Sequence, residues 1–239
     1  MQQVREILVA TVVIFVGSYV QTALGFGLAI VAAPILFFLD PLYVPAPITI
    51  SALTLSLVMA AKHWRSISFS GLKFAILGRI PGTMAGGMLL VWISIEQLAL
   101  WVGLSVVAAV ALSLSNLKLR PNSGLMFSAG FLSGFMGTST SIGGPPMALL
   151  LQHEESEFIR ANMSAFFCVS CVMSLAMLVF VDRLDMRHLE LFWPLFPATL
   201  AGYWLAMKTV RKISKNSLRY SSLLLCALVG SLSVASYWF

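Results

Sequence analysis

The sequence predicts an all-α polytopic membrane protein of two inverted repeats, each a glycine-broken helical hairpin followed by three transmembrane helices. Three observations point there: a composition that only lipid can solvate, a succession of helix-length apolar runs, and motifs that recur in the same order in both halves. Of the 239 residues, 59% are hydrophobic and only 10% charged, with a mean hydropathy of +0.93. A soluble domain carries about 25% charged residues, so this chain lacks the polar surface to face water. Apolar runs lie at about 6–24, 46–61, 72–92, 97–115, 161–181, 188–207 and 219–238. They approach the roughly 20 helical residues that a bilayer core of about 30 Å requires. Helices are expected because they satisfy their own backbone in lipid. The connections are short, which argues against a receptor, a soluble enzyme or a nucleic-acid binder. The net charge of +6 sits in those connections and speaks to orientation, with the lipid bilayer as the chain's main partner.

The duplication is read from motifs. Pro81-Gly-Thr83-Met-Ala85-Gly86 and Pro197-Ala-Thr199-Leu-Ala201-Gly202 both spell P-x-T-x-A-G, 116 residues apart. Gly17 and Gly134 lie 117 apart, and that offset also lays Gln21-Thr22 over Thr138-Ser139 and Gly27 over Gly144. The repeats are therefore placed at 1–115 and 120–239, within one integral membrane domain.

Positive charge sets their relative direction, since cytoplasmic connections are rich in Lys and Arg. Lys62, Arg65 and Lys73, then Lys118 and Arg120, then Lys208, Arg211, Lys212, Lys215 and Arg219 mark three inside connections. The connections near Asp40 and Glu96, and the mixed loop 182–188, go outside. Segments 6–39 and 124–151 then each leave and return to one side, as hairpins that are either re-entrant or fully spanning. Three crossings follow each, which inverts the second repeat. The acidic stretch His153-Glu-Glu-Ser-Glu157 falls inside, and acidic residues weigh little in this rule.

The hairpin breaks carry the chemistry. In Gly137-Thr-Ser-Thr-Ser-Ile-Gly-Gly-Pro-Pro146, small polar residues interrupt an apolar run. Non-helical backbone at membrane depth is tolerated only when buried in protein or lining a wet cavity. Gly143 and Gly144 permit positive φ and close approach, and Pro145 is expected to open a short helix over 145–152. Thr138, Ser139, Thr140 and Ser141 precede that helix, so hydroxyls, free N–H groups and the helix dipole are expected to converge as an anion site. Gln21-Thr22-Ala-Leu-Gly25-Phe26-Gly27 is the first-half counterpart. Paired broken helices at matching repeat positions point to a transporter's substrate site. The pairs Gly130-x-x-x-Gly134 and Gly82-x-x-x-Gly86 read instead as helix-packing contacts.

Two polar residues have open readings. Arg79, two residues before Pro81, is either an intramembrane functional charge or a side chain snorkelling toward the interface near Lys73. Asn162 is either an N-cap or, preferred, a cavity-facing group. Cys168 and Cys171 have C-x-x-C spacing without the βαβ context of a redox motif, so these and Cys226 read as small buried residues. No spacing calls for a metal or a cofactor.

The stretches Gly130–Leu151, Gln21–Leu36 and Ile159–Phe167 (GFLSGFMGTSTSIGGPPMALLL, QTALGFGLAIVAAPIL, IRANMSAFF) resemble the TauE/SafE sulfite exporter family of membrane permeases. The resemblance runs through essentially the whole chain, although the first-half break lacks a proline directly after Gly27. It implies transport of a small sulfur-containing anion, such as sulfite or an organosulfonate, in either direction. It also implies substrate contacts at Gln21, Thr22, Gly25, Phe26, Thr138–Ser141, Gly143–Pro146 and Asn162. The expected function is thus a secondary transporter of the cell inner membrane, working by alternating access, and not an enzyme. The alternatives are an anion channel and, from another class, a membrane thiol redox enzyme using Cys168 and Cys171. Coupling to a proton or sodium ion and assembly as a homodimer stay open. Asp40, Glu96 and Asp182 all fall near helix ends, which weakens a carboxylate proton relay.

Overall fold

The computed structural model describes residues 2–115 and 119–210, with 223–224, 227–228 and 230–231. Most of the expected span 219–238, together with Lys118, Arg211, Lys212, Lys215, Arg219 and Cys226, lies outside the described residues. Within them the regular elements are helical: α1 (Gln2–Leu24), α2 (Leu28–Leu39), α3 (Ala46–Lys62), α4 (Phe69–Trp92), α5 (Ile95–Leu114), α6 (Ser123–Thr140), α7 (Gly144–Leu151), α8 (Ser156–Phe180), α9 (Met186–Phe192) and α10 (Leu195–Thr209). Five stretches are long and apolar enough to span a membrane: Val4–Leu24, Pro41–Lys62, Phe69–Trp92, Ile95–Leu114 and Ser156–Phe180.

The hairpins are asymmetric. At 1.5 Å per residue, the 23 residues of α1 reach about 34 Å, enough to span. The 12 residues of α2 reach about 18 Å and the 8 of α7 about 12 Å, so neither return arm spans by itself. The expected single run 188–207 is two helices, interrupted at Trp193-Pro194. Pro194 has no N–H to give and its ring crowds the carbonyl four residues back, at Glu190, which favours a break here, although α2 and α4 each carry a proline, Pro34 and Pro81, without one.

Glycines decide how the helices meet. A Cβ at Gly78, Gly82 or Gly86 on α4 would collide with the carbonyls of Phe127, Phe131 and Phe135 on α6. Across the same seam, Gly130 meets Ala75, and Gly134 meets the Arg79 carbonyl. Both chains advance by four residues per contact, so α4 and α6 lie backbone to backbone along one face of each. The packing expectation for these glycine pairs is met. In the other half, a Cβ at Gly202 on α10 would stand 2.5 Å from the Phe15 carbonyl on α1. Each P-x-T-x-A-G helix therefore packs on the first hairpin helix of the opposite half.

The connections sort into two ends. A cavity lined by Ser68, Gly71, Asn122, Ser123, Glu154 and Phe158 brings 66–71, 121–123 and 152–158 together. At the other end, Arg183 donates to the Leu90 carbonyl at 2.5 Å, closing the C-terminus of α4. The acidic stretch 153–157 thus shares an end with Lys62, Arg65 and Arg120.

Asn162 serves this first end. It lies well inside α8, which starts at Ser156, so it is not that helix's N-cap. Its Oδ1 accepts from Ser68 N at 2.8 Å, and Nδ2 donates to the carbonyls of Ser66 (3.2 Å) and Phe158 (2.9 Å). Ser68 is the N-cap of α4, so Asn162 ties that helix start to α8. Asn162→Ala should cost about 1–3 kcal/mol, the penalty for stranding such partners. Thermal unfolding in detergent, together with faster amide exchange over 66–70, checks this.

Candidate functional site

Two breaks build the site from local chemistry. In the first, Gly25 (φ 93°) and Gly27 (φ 123°) flank Phe26, conformations that a side chain resists. Leu28 N then donates to Gln21 Oε1 at 3.3 Å, so Gln21 caps α2 from the preceding helix. In the second break the left-handed residue is Ser141 (φ 66°), whereas Gly143 sits at φ −94°. Expected positive φ at Gly143 and Gly144 is therefore corrected: these glycines answer to space. A Cβ on Gly143 would meet the Ser133 carbonyl at 2.7 Å, and one on Gly144 would meet Phe26 Cβ at 3.1 Å and Phe167 at 3.3 Å.

The four hydroxyls do not converge. Helix α6 runs through Thr140, so successive side chains fan around it. Ser139 donates to Phe135 O and accepts from Trp101 Nε1 at 2.8 Å, while Thr140 donates to Met136 O at 2.8 Å. Thr138 pairs with Ser174 Oγ at 2.8 Å. Ser141 donates to Pro45 O at 2.7 Å and stands 2.9 Å from Thr49 Oγ1. The expected short helix begins at Gly144 rather than Pro145, and Pro145 and Pro146 remove two N–H groups from its first turn.

Between the breaks lies a cavity of about 30 Å³, lined by Gln21, Gly27, Ala29, Ile30, Thr49, Arg79, Gly137, Ser141–Gly144, Cys171 and Ser174 among others. That is room for about two waters. Of the expected site residues, Gln21, Arg79, Gly137, Ser141, Gly143 and Gly144 line it. Thr22, Gly25, Phe26, Thr138–Thr140, Pro145, Pro146 and Asn162 do not. Thr22 bonds back to Ser18 O at 2.7 Å.

Arg79 does not snorkel. It is 3% exposed. Its Nη1 donates to Ser133 Oγ at 2.8 Å, and its Nη2 donates to Ser174 Oγ at 2.9 Å and to the Ser170 carbonyl at 3.3 Å. The guanidinium stands 5.5 Å from the Phe166 ring centre. Ser133 in turn donates to the Gly143 carbonyl at 2.5 Å, linking the charge to the break. Nε has no hydrogen-bond partner. Among the described residues no carboxylate pairs with Arg79, and no Asp or Glu is buried. Ser133, Ser170 and Ser174 were missed in the sequence. Their signal is spacing: Ser133 lies four residues before Gly137, and Ser170 four before Ser174, each pair one turn apart on one helix face.

Gly137 makes room for the guanidinium. A Cβ there would come within 3.0 Å of Nη2, 3.3 Å of Nη1 and 3.2 Å of the Gly143 Cα. In Gly137→Ala, crowding of about 1–3 kcal/mol is partly offset by a helix-propensity gain of about 1 kcal/mol, so stability should fall by no more than about 2 kcal/mol. On the expectation of an anion beside the guanidinium, displacing the charge should weaken its binding about tenfold, on the order of 1.4 kcal/mol, as read by ligand-dependent thermal shift.

Five apolar helices of spanning length, with a buried cation where two helices break, fit a polytopic membrane protein. A family model described as sulfite exporter TauE/SafE matches residues 9–232, and the chain belongs to that family. Membership makes it a membrane transporter of the sulfite and anion exporter type. No curated protein and no solved structure matches the chain.

Proposed function

We propose that the protein is a secondary transporter for a small sulfur-containing anion, such as sulfite or an organosulfonate, held in the Arg79 cavity and moved by alternating access. The observation that carries this reading is a guanidinium sealed among hydroxyls and carbonyls with no carboxylate beside it. A buried charge left unpaired is costly, and an anionic ligand supplies the missing partner. The first-turn N–H groups of Ala29 and Ile30 and the dipole of α2 reinforce it, and Gln21 Nε2 is a further donor. At about 30 Å³ the cavity is smaller than sulfite, so on this reading it widens to admit the anion, as alternating access requires.

Reciprocal packing of α4 on α6 and of α10 on α1 supports inverted repeats at 1–115 and 120–239. Phe26 stands beside Gly144, at the edge of the cavity, and lines a neighbouring space of about 180 Å³ with Ser113, Gln152 and Glu154, a position from which it could separate the two. On this reading Arg79, Gln21, Gly137, Ser141, Gly143 and Gly144 hold the anion. Thr22, Gly25, Thr138–Thr140, Pro145 and Pro146 shape the breaks. The basic connections face the cytoplasm from the inner membrane.

The test is uptake of radiolabelled sulfite, taurine and isethionate into proteoliposomes. Saturable uptake of one of them, accelerated by unlabelled anion inside, is expected. Flux that never saturates would replace the carrier with a channel, and no flux of any of the three would overturn the reading.

A further inference from the structure

We infer, resting on the anion-transport reading of this cavity, that the site takes its ligand as a monoanion and discriminates against divalent oxyanions of the same size. The charge inventory is short. Among the described residues Arg79 is the only buried Lys or Arg, and none of the cavity's other lining residues is a Lys, Arg or His. One negative charge makes the sealed site neutral. A second would stay unbalanced in a medium of low dielectric, which is strongly unfavourable.

A divalent anion without a second cation needs a full shell of neutral donors, and here those donors are spent. Ser133 gives its proton to the Gly143 carbonyl, and Ser141 and Thr49 give theirs to the Pro45 carbonyl. Ser174 and Thr138 form one hydrogen bond, which uses one of their two protons. Apart from that one remaining proton, these hydroxyls offer lone pairs. Pro145 and Pro146 withdraw two more donors from the first turn of α7. What remains is Arg79 Nε and its unused Nη1 proton, one hydroxyl proton of the Ser174–Thr138 pair, a few first-turn N–H groups and Gln21, enough for one anionic head. A hydrogen oxyanion also fits, because its own O–H can donate to the hydroxyl lone pairs.

Methanesulfonate and sulfate are tetrahedral, similar in size, and differ by one charge. Thermal unfolding of the full chain in detergent would be followed against each anion, at ionic strength held constant with gluconate. Stabilisation grows with the logarithm of ligand concentration over its Kd. We expect methanesulfonate to bind at least tenfold more tightly than sulfate. Arg79→Gln should abolish both shifts, while Arg79→Lys, which keeps the charge, should keep the preference at lower affinity. Sulfate binding as tightly as methanesulfonate would overturn the charge rule and leave the anion reading standing. No shift from either anion up to about 100 mM would overturn the charge rule, and if sulfite flux were also indifferent to Arg79→Gln, the anion reading would fall with it.

Discussion

Arg79→Gln should abolish anion binding and transport while leaving the protein as stable as before, or more so. The two effects have opposite signs for one reason. With the cavity empty, the guanidinium is 3% exposed and has no carboxylate partner. Replacing an unpaired buried charge by a neutral amide removes a desolvation penalty, and Gln keeps a donor for Ser133 or Ser174. With an anion bound, the same substitution removes the one formal countercharge. Truncating one member of a buried, hydrogen-bonded charge pair costs about 2–5 kcal/mol, or more than about thirtyfold in Kd. Arg79→Lys should fall between, because a point charge cannot reach Ser133 and Ser174 together as the planar fork does. Thermal unfolding without ligand, thermal shift with sulfite, and sulfite flux in liposomes read the three quantities. A loss of flux accompanied by a large drop in ligand-free stability would make Arg79 a structural residue.

Gly82→Val should be the most damaging single change in the fold. Its Cβ would overlap the Phe131 carbonyl; Gly78 and Gly130 are as tight, and Gly86 and Gly134 also leave no room for a Cβ. Backbone cannot step aside as a flexible side chain can, so α4 and α6 must separate along the whole seam. Overpacking typically costs about 1–3 kcal/mol, and here the lost contacts of two helices add to it, for an expected total of several kcal/mol. Met84→Val is the control. Met84 is on the same helix but 55% exposed, and such surface changes usually stay within about 0.5 kcal/mol. Yield of folded protein and its unfolding temperature in detergent decide the matter. If the two variants behave alike, the seam does not hold the helices together. Because Arg79 and Ser133 sit on opposite sides of this seam, even the milder Gly82→Ala should weaken sulfite binding.

The features legible in the sequence were those that depend on neighbours along the chain. Apolar composition selects lipid as solvent, and lipid selects helices. Gly25, Gly27 and the Gly143–Pro146 run mark the interruptions, and the four-residue spacing of Gly82 and Gly86, and of Gly130 and Gly134, marks a packing face. None of these needs knowledge of a distant partner. The detail at the second break was less legible, since Ser141 took the left-handed conformation and Gly143 and Gly144 supplied clearance.

What only the tertiary structure decided was which polar groups face one another. Arg79 reaches serines 54 and 95 residues away, Ser139 turns to Trp101, and Asn162 lines the space at the start of α4 rather than the one around Arg79. Each outcome depends on how a helix is rotated about its own axis, and a rotation of one residue, about 100°, moves a side chain from cavity to seam. The glycine seams set that rotation through contacts between helices remote in the chain. Sequence alone therefore determined that there are two broken hairpins in a membrane, and the packing of α4 against α6 and α8 determined that their cavity carries a single positive charge.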